Sequence, residues 1–158
     1  MKSILKYFLC ILVLNAFASG SIAQDTGHIT KEPKFRPPVV KTLLGTSQNG
    51  AMVTSDDGNQ LVSSPLKVVD EKNKSYPIVS YRFMYKQKSY VTNDETGKKE
   101  ASYTLTADRF NFTPLPKLWI DNIKGRLQSD EQLYFFDIIV KDTEGRQFFA
   151  PELKITIR

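Results

Sequence analysis

The sequence predicts a mainly β domain, an antiparallel β-sandwich with one short packed helix. Three observations carry this. In residues 76–91, Val79, Tyr81, Phe83 and Tyr85 alternate with Ser80, Arg82, Met84 and Lys86. That period of two marks a half-buried strand of an antiparallel sheet. Residues 132–141 form a second long β-prone run, and the segments between are short and punctuated by Gly, Pro, Asn and Asp.

The elements follow in order. Residues 39–44 are apolar and strand-like, 45–50 a loop, and 51–54 a short strand. Asp56-Asp57-Gly58-Asn59 has the composition of a tight turn. Residues 60–69 read as a strand that Pro65 bends or confines to a sheet edge. The long alternating strand comes next, with its return over residues 101–107 beyond a polar loop at 92–99. Residues 113–127 change period: Leu115, Leu118, Trp119 and Ile123 fall at helical spacing. Thr113 is placed to cap that helix, with Pro114 at its first position and Gly125 at its end. Trp119 on this stripe is expected to plug the core. In residues 132–141, Tyr134, Phe136, Ile138 and Val140 alternate with Leu133, Phe135 and Ile139. With both rows apolar, the expectation is a central strand covered on both faces. A turn follows at residues 142–145, ending in Gly145. Two last strands are divided by Pro151.

The first 23 residues have a different texture. Lys2 and Lys6 precede an apolar run at residues 7–17, and Ser21-Ile22-Ala23 offers small residues at a cleavage point. This is the layout of a secretory signal peptide, and the run is well short of the ~20 residues a membrane span needs. Cys10 lies inside the apolar run after Leu9, which does not fit a lipid-attachment site. Residues 24–38 are polar with three prolines and read as an extended linker or arm, leaving residues 39–158 as a single β-rich domain. The expected product is exported and not membrane-spanning after signal removal. A periplasmic location suits a chain without a second Cys.

The residue inventory narrows the chemistry. Cleavage would lower the net charge from +5 to +3 by removing Lys2 and Lys6, and no block of like charges stands out. That gives no electrostatic footprint for nucleic acid. One Cys and one His, His28 in the arm, supply neither a metal cluster nor a nucleophile–base pair. The carboxylate pairs Asp56-Asp57, Asp70-Glu71, Asp94-Glu95 and Asp130-Glu131 all sit in or beside turns, where solvated carboxylates serve poorly as tuned acids. Asp137 interrupts the apolar run. Pointing inward, it would need a backbone or Arg partner. No cofactor and no catalytic residue are expected, and the reading is non-enzymatic. Opposite the core row of residues 76–91, Arg82, Met84, Lys86 and Lys88 form a basic and apolar stripe suited to partner contact. Trp119, Asp137 and Gly145 have structural roles in this reading.

The C-terminal half resembles a known family. Asp130 to Ile138 (DEQLYFFDI), Asp142-Thr143-Glu144-Gly145-Arg146 and Pro151 to Arg158 (PELKITIR) look like the C-terminal domain of GldM (PorM-like), the periplasmic shaft protein of gliding motility and type IX secretion in Bacteroidetes. Residues 115–127 match that domain's helix, and residues 78–83 resemble its first strand pair. The family's motor helix and earlier shaft domains have no counterpart here. The resemblance implies a stand-alone periplasmic β domain that docks onto another envelope protein, as an accessory of secretion or gliding. Residues 60–69 are a candidate edge for such docking. Two alternatives stay open: a carbohydrate- or envelope-ligand-binding module, which would expose Trp119, and a hydrolase inhibitor or immunity-type protein using the loop at 92–99.

Overall fold

The computed structural model describes residues 34–158. The stretch read as a signal peptide and most of the one read as an arm, His28 included, lie outside the described residues. The elements run β1 (Val40–Leu44), β2 (Ala51–Val53), α1 (Ser55–Leu61), β3 (Leu66–Asp70), β4 (Ile78–Thr92), β5 (Lys99–Phe110), α2 (Lys117–Ile123), β6 (Gln132–Lys141), β7 (Gln147–Phe149) and β8 (Leu153–Ile157). They form a mainly-β sandwich of two sheets. The larger has the order β2-β8-β6-β4-β5, with β7 pairing the end of β6; the smaller is β1-β3. All pairs are antiparallel except β2–β8, which is parallel, so the expected purely antiparallel arrangement is corrected there. Leu44, Leu66 and Val68 from the small sheet are buried, as are Tyr81, Phe83, Leu133, Phe135, Leu153 and Ile155 from the large one.

The alternation in β4 places Tyr81, Phe83 and Tyr85 in the core, as its period requires. In β6 the simple alternation fails. Leu133, Phe135, Ile138 and Val140 are all buried on one side, and the phase changes at Asp137, whose φ is +48°. The β4–β6 register shifts in the same stretch, between Ile78 and Arg82. The extra residue of a β-bulge carries two apolar rows that looked opposite onto one face. β6 is central in the sheet but covered on one face only, which corrects the two-sided expectation. Asp137 therefore points outward, exposed, with its carboxylate 3.9 Å from Arg82.

There are two helices where one was expected. Asp56-Asp57-Gly58-Asn59 is not a turn but the body of α1. Thr54 caps it, its hydroxyl oxygen accepting from the Asp57 N–H at 3.2 Å. Asp56 and Asp57 then lie in the first turn, where the exposed N–H groups favour acidic residues. Gly58 is buried under Ile157 and Leu127, so close that a Cβ there would come within 2.8 Å of a methyl of each. α2 is shorter than its apolar stripe and starts after Pro116, without a side-chain cap. Thr113 does not cap it. Its hydroxyl accepts from the Leu66 N–H at 2.6 Å, and the Thr113–Pro114 bond is cis. Leu118 is left exposed. Trp119 packs edge-on against the buried Phe83 and Phe110 and is itself half-buried. Gly145 sits at φ +81° in a turn whose Asp142 carboxylate accepts from the N–H groups of Glu144 and Arg146 and from the Arg146 guanidinium.

Candidate functional site

The outward face of the large sheet is built on the alternate residues of β4. Register sets Arg82 between Arg109 and Phe136, Met84 between Ala107 and Tyr134, and Lys86 between Leu105 and Gln132. Lys88 lies opposite Tyr103. The predicted partner stripe is therefore flanked by the aromatic residues of β5 and β6. Tyr134 and Phe136 stack at 5.0 Å with their planes 14° apart. Cations bracket the rings: Lys86 Nζ lies 4.0 Å above Tyr103, Lys154 Nζ 5.7 Å from Tyr134, and the Arg82 guanidinium 6.0 Å from Phe136. Each such contact contributes about 0.5–1 kcal/mol at an exposed site, so the face is partly ordered before any partner arrives.

The four predicted contact residues are not equivalent. Lys88 is committed internally: its ammonium donates to Asp130 at 2.9 Å and to the Ser129 carbonyl at 3.3 Å. The Asp130 carboxylate holds it above the ordinary lysine value. Arg82 faces Asp137 across 3.9 Å. Lys86 and Arg109 make no ion pair with a described carboxylate. Arg82, Arg109 and Phe136 line a shallow cavity of about 300 Å³.

One edge of this sheet is open. β5 pairs only with β4, and among the described residues no strand lies beyond it. The direction of its backbone groups follows from β4. The Lys88 N–H points toward β6, where it donates to the Glu131 carboxylate at 2.8 Å. Its alternates Arg82, Met84 and Lys86 share that direction, so their β5 partners receive no ladder bonds from them. Ala101, Tyr103, Leu105, Ala107 and Arg109 accordingly turn their N–H and C=O groups to the free edge. Arg109 agrees, its N–H resting on the adjacent Asp108 carboxylate at 2.7 Å. The segment from Ala101 to Ala107 (ASYTLTA) carries no charge and no proline. The candidate edge at residues 60–69 is instead closed. Gln60 and Leu61 belong to α1. Along β3 the Leu66 N–H bonds Thr113, the Val68 carbonyl accepts from Tyr76, and the Asp70 N–H donates to Lys74.

Sequence reasoning missed Glu131, grouped there with solvated turn carboxylates. It is fully buried. Its carboxylate accepts from the Tyr85 hydroxyl, from the Lys88 N–H, and from the Gln128 N–H at 3.1 Å. Since β6 pairs β4 only as far as Gln132–Lys86, the Glu131 side chain extends the ladder by one bond. Burial, reinforced by the Glu131 charge, pushes the Tyr85 phenol well above the ordinary tyrosine range. Nothing short of the partners' proximity in the fold, 43 and 46 residues distant in sequence, would have revealed this.

Among the described residues, no group of three or more His, Cys, Asp or Glu is placed to hold a metal ion, and no helix is long and apolar enough to cross a membrane. No family model matches the chain, and no curated protein matches it.

Proposed function

We propose that this is a non-enzymatic docking domain that captures an extended segment of another envelope protein by strand addition along β5. The open, uncharged, β-prone edge from Ala101 to Ala107 carries the reading. An unprotected edge of this length is a ready template for an incoming strand. The neighbouring cations set the partner's chemistry. A strand paired to β5 runs directly beside Arg109, with Lys86 and Arg82 one strand further in on the same face, so acidic residues on that side of the incoming strand complement the face. The leader layout supports an exported setting. The likeness of α2, β6 and β8 to the GldM C-terminal domain supports a partner in the secretion or gliding machinery.

The test is affinity capture of envelope proteins on the chain, read by mass spectrometry, with Leu105→Pro beside the unaltered protein. Proline at 105 removes an outward N–H while leaving the β4 ladder intact. Capture should fall at least tenfold, on the order of one or two lost backbone hydrogen bonds together with local mismatch. Undiminished capture by a folded Leu105→Pro chain would rule out this edge.

A further inference from the structure

A second site lies on the opposite, core-side surface of the β4–β5 ribbon, under α2. A cavity of about 220 Å³ is lined by Tyr85, Gln87, Thr106, Trp119, Asn122 and Arg126. It is smaller than the roughly 300–1,000 Å³ of drug-sized sites, and suits a single ring rather than a chain. Its wall is held in place. Trp119 meets Phe83 edge-on at 5.3 Å and Phe110 at 5.8 Å. The turn that presents Arg126 is held by the Gly125 N–H donating to Asn59 at 2.7 Å and the Arg126 N–H donating to the Ile123 carbonyl at 3.1 Å. The Tyr85 hydroxyl is already engaged by Glu131. By contrast, the side chains of Gln87, Thr106, Asn122 and Arg126 make no hydrogen bond or ion pair with any described residue, and no carboxylate lines the cavity.

From this juxtaposition we propose that the cavity binds a monosaccharide-sized ring carrying a carboxylate, a uronic-acid residue. The indole supplies an apolar wall for the C–H surface of a pyranose. Two amides and a hydroxyl supply neutral donors and acceptors for ring hydroxyls. The Arg126 guanidinium matches the carboxylate in a bidentate geometry. A cationic ligand would meet the Arg126 guanidinium, while the Glu131 carboxylate bonded to the lining Tyr85 is already taken up by three donors. The site is separate from the β5 edge: Thr106 faces the cavity with its side chain, while its backbone belongs to the β4 ladder.

Trp119 is the single tryptophan of the chain, so its fluorescence reports on the cavity directly. The full chain is titrated with methyl glucuronoside, methyl glucoside and acetate at equal ionic strength. The uronoside is expected to give a saturable change and to bind about tenfold more tightly than the glucoside, the low end for one charge-assisted hydrogen bond. Acetate should give none. Arg126→Gln should bring the two sugars to equal affinity, and Asn122→Ala should weaken both. Both residues are exposed, and the circular dichroism of each variant checks its fold. No saturable change with either sugar, equal affinities in the unaltered protein, or an acetate response equal to the uronoside's would overturn the proposal.

Discussion

Removing the Glu131 carboxylate is the sharpest test of how the β4–β5 ribbon is held to the domain. Glu131→Ala leaves three donors without their acceptor: the Tyr85 hydroxyl and the N–H groups of Lys88 and Gln128. A buried donor left unpaired costs about 1–3 kcal/mol, and the part-buried N–H groups of Lys88 and Gln128 fall at the low end of that range. Part of this is offset, because the mutant no longer desolvates a carboxylate and water can enter the vacated space. We therefore expect a net loss of about 3 kcal/mol, near one per donor. With a urea slope of about 1–3 kcal/mol per molar, the unfolding midpoint should fall by roughly 1–3 M. Glu131→Gln keeps the volume but turns an amide N–H₂ toward a donor, and should cost about 1–2 kcal/mol. Tyr85→Phe removes one donor and leaves the carboxylate two others, for about 1 kcal/mol. Urea unfolding followed by far-ultraviolet circular dichroism gives all three numbers. A midpoint shift below about 0.3 M for Glu131→Ala would mean that the three bonds contribute nothing net and that Glu131 is no clamp.

Other outcomes follow from local geometry. At Asp137 the left-handed backbone disfavours a β-branched residue, so Asp137→Val should destabilise by about 1–2 kcal/mol although the side chain is exposed; Asp137→Gly should be neutral or better, by the same urea assay. At Gly58 an added Cβ would lie 2.8 Å from two methyls, which leaves no room for branching, and Gly58→Val should cost about 1–3 kcal/mol in thermal or urea unfolding. Burial raises the Tyr81 phenol to about 12, and Tyr85 is raised further in the same direction. The native state then holds protons that the unfolded state releases from about pH 10. This stability is fully present below about pH 10 and is lost as pH rises through the folded values. Ultraviolet titration should show Tyr81 and Tyr85 ionising only as the fold is lost.

The mainly β class, the buried row of β4 and the position of the turn ended by Gly145 are legible in the amino-acid sequence. Each is written in a local pattern: a period of two, or a glycine where φ is positive. The sequence also named Arg82, Met84, Lys86 and Lys88 as one outward stripe, because alternation assigns faces without knowing the neighbours. What the tertiary structure decided depends on residues far apart in the chain. A single bulge at Asp137 reversed the phase of half a strand, and no alternation pattern can show its own interruption when both rows are apolar. Asp56-Asp57-Gly58-Asn59 is helical because Thr54 caps it and because Ile157 and Leu127 press on Gly58. Lys88 lost its place as a free contact to Asp130, and Glu131 left the solvent for Tyr85 and the Lys88 backbone. The open edge of β5 and the closed edge of β3 are likewise facts of strand order. Strand order is set by which apolar faces bury one another, and that contest is settled across the whole domain rather than along any one segment.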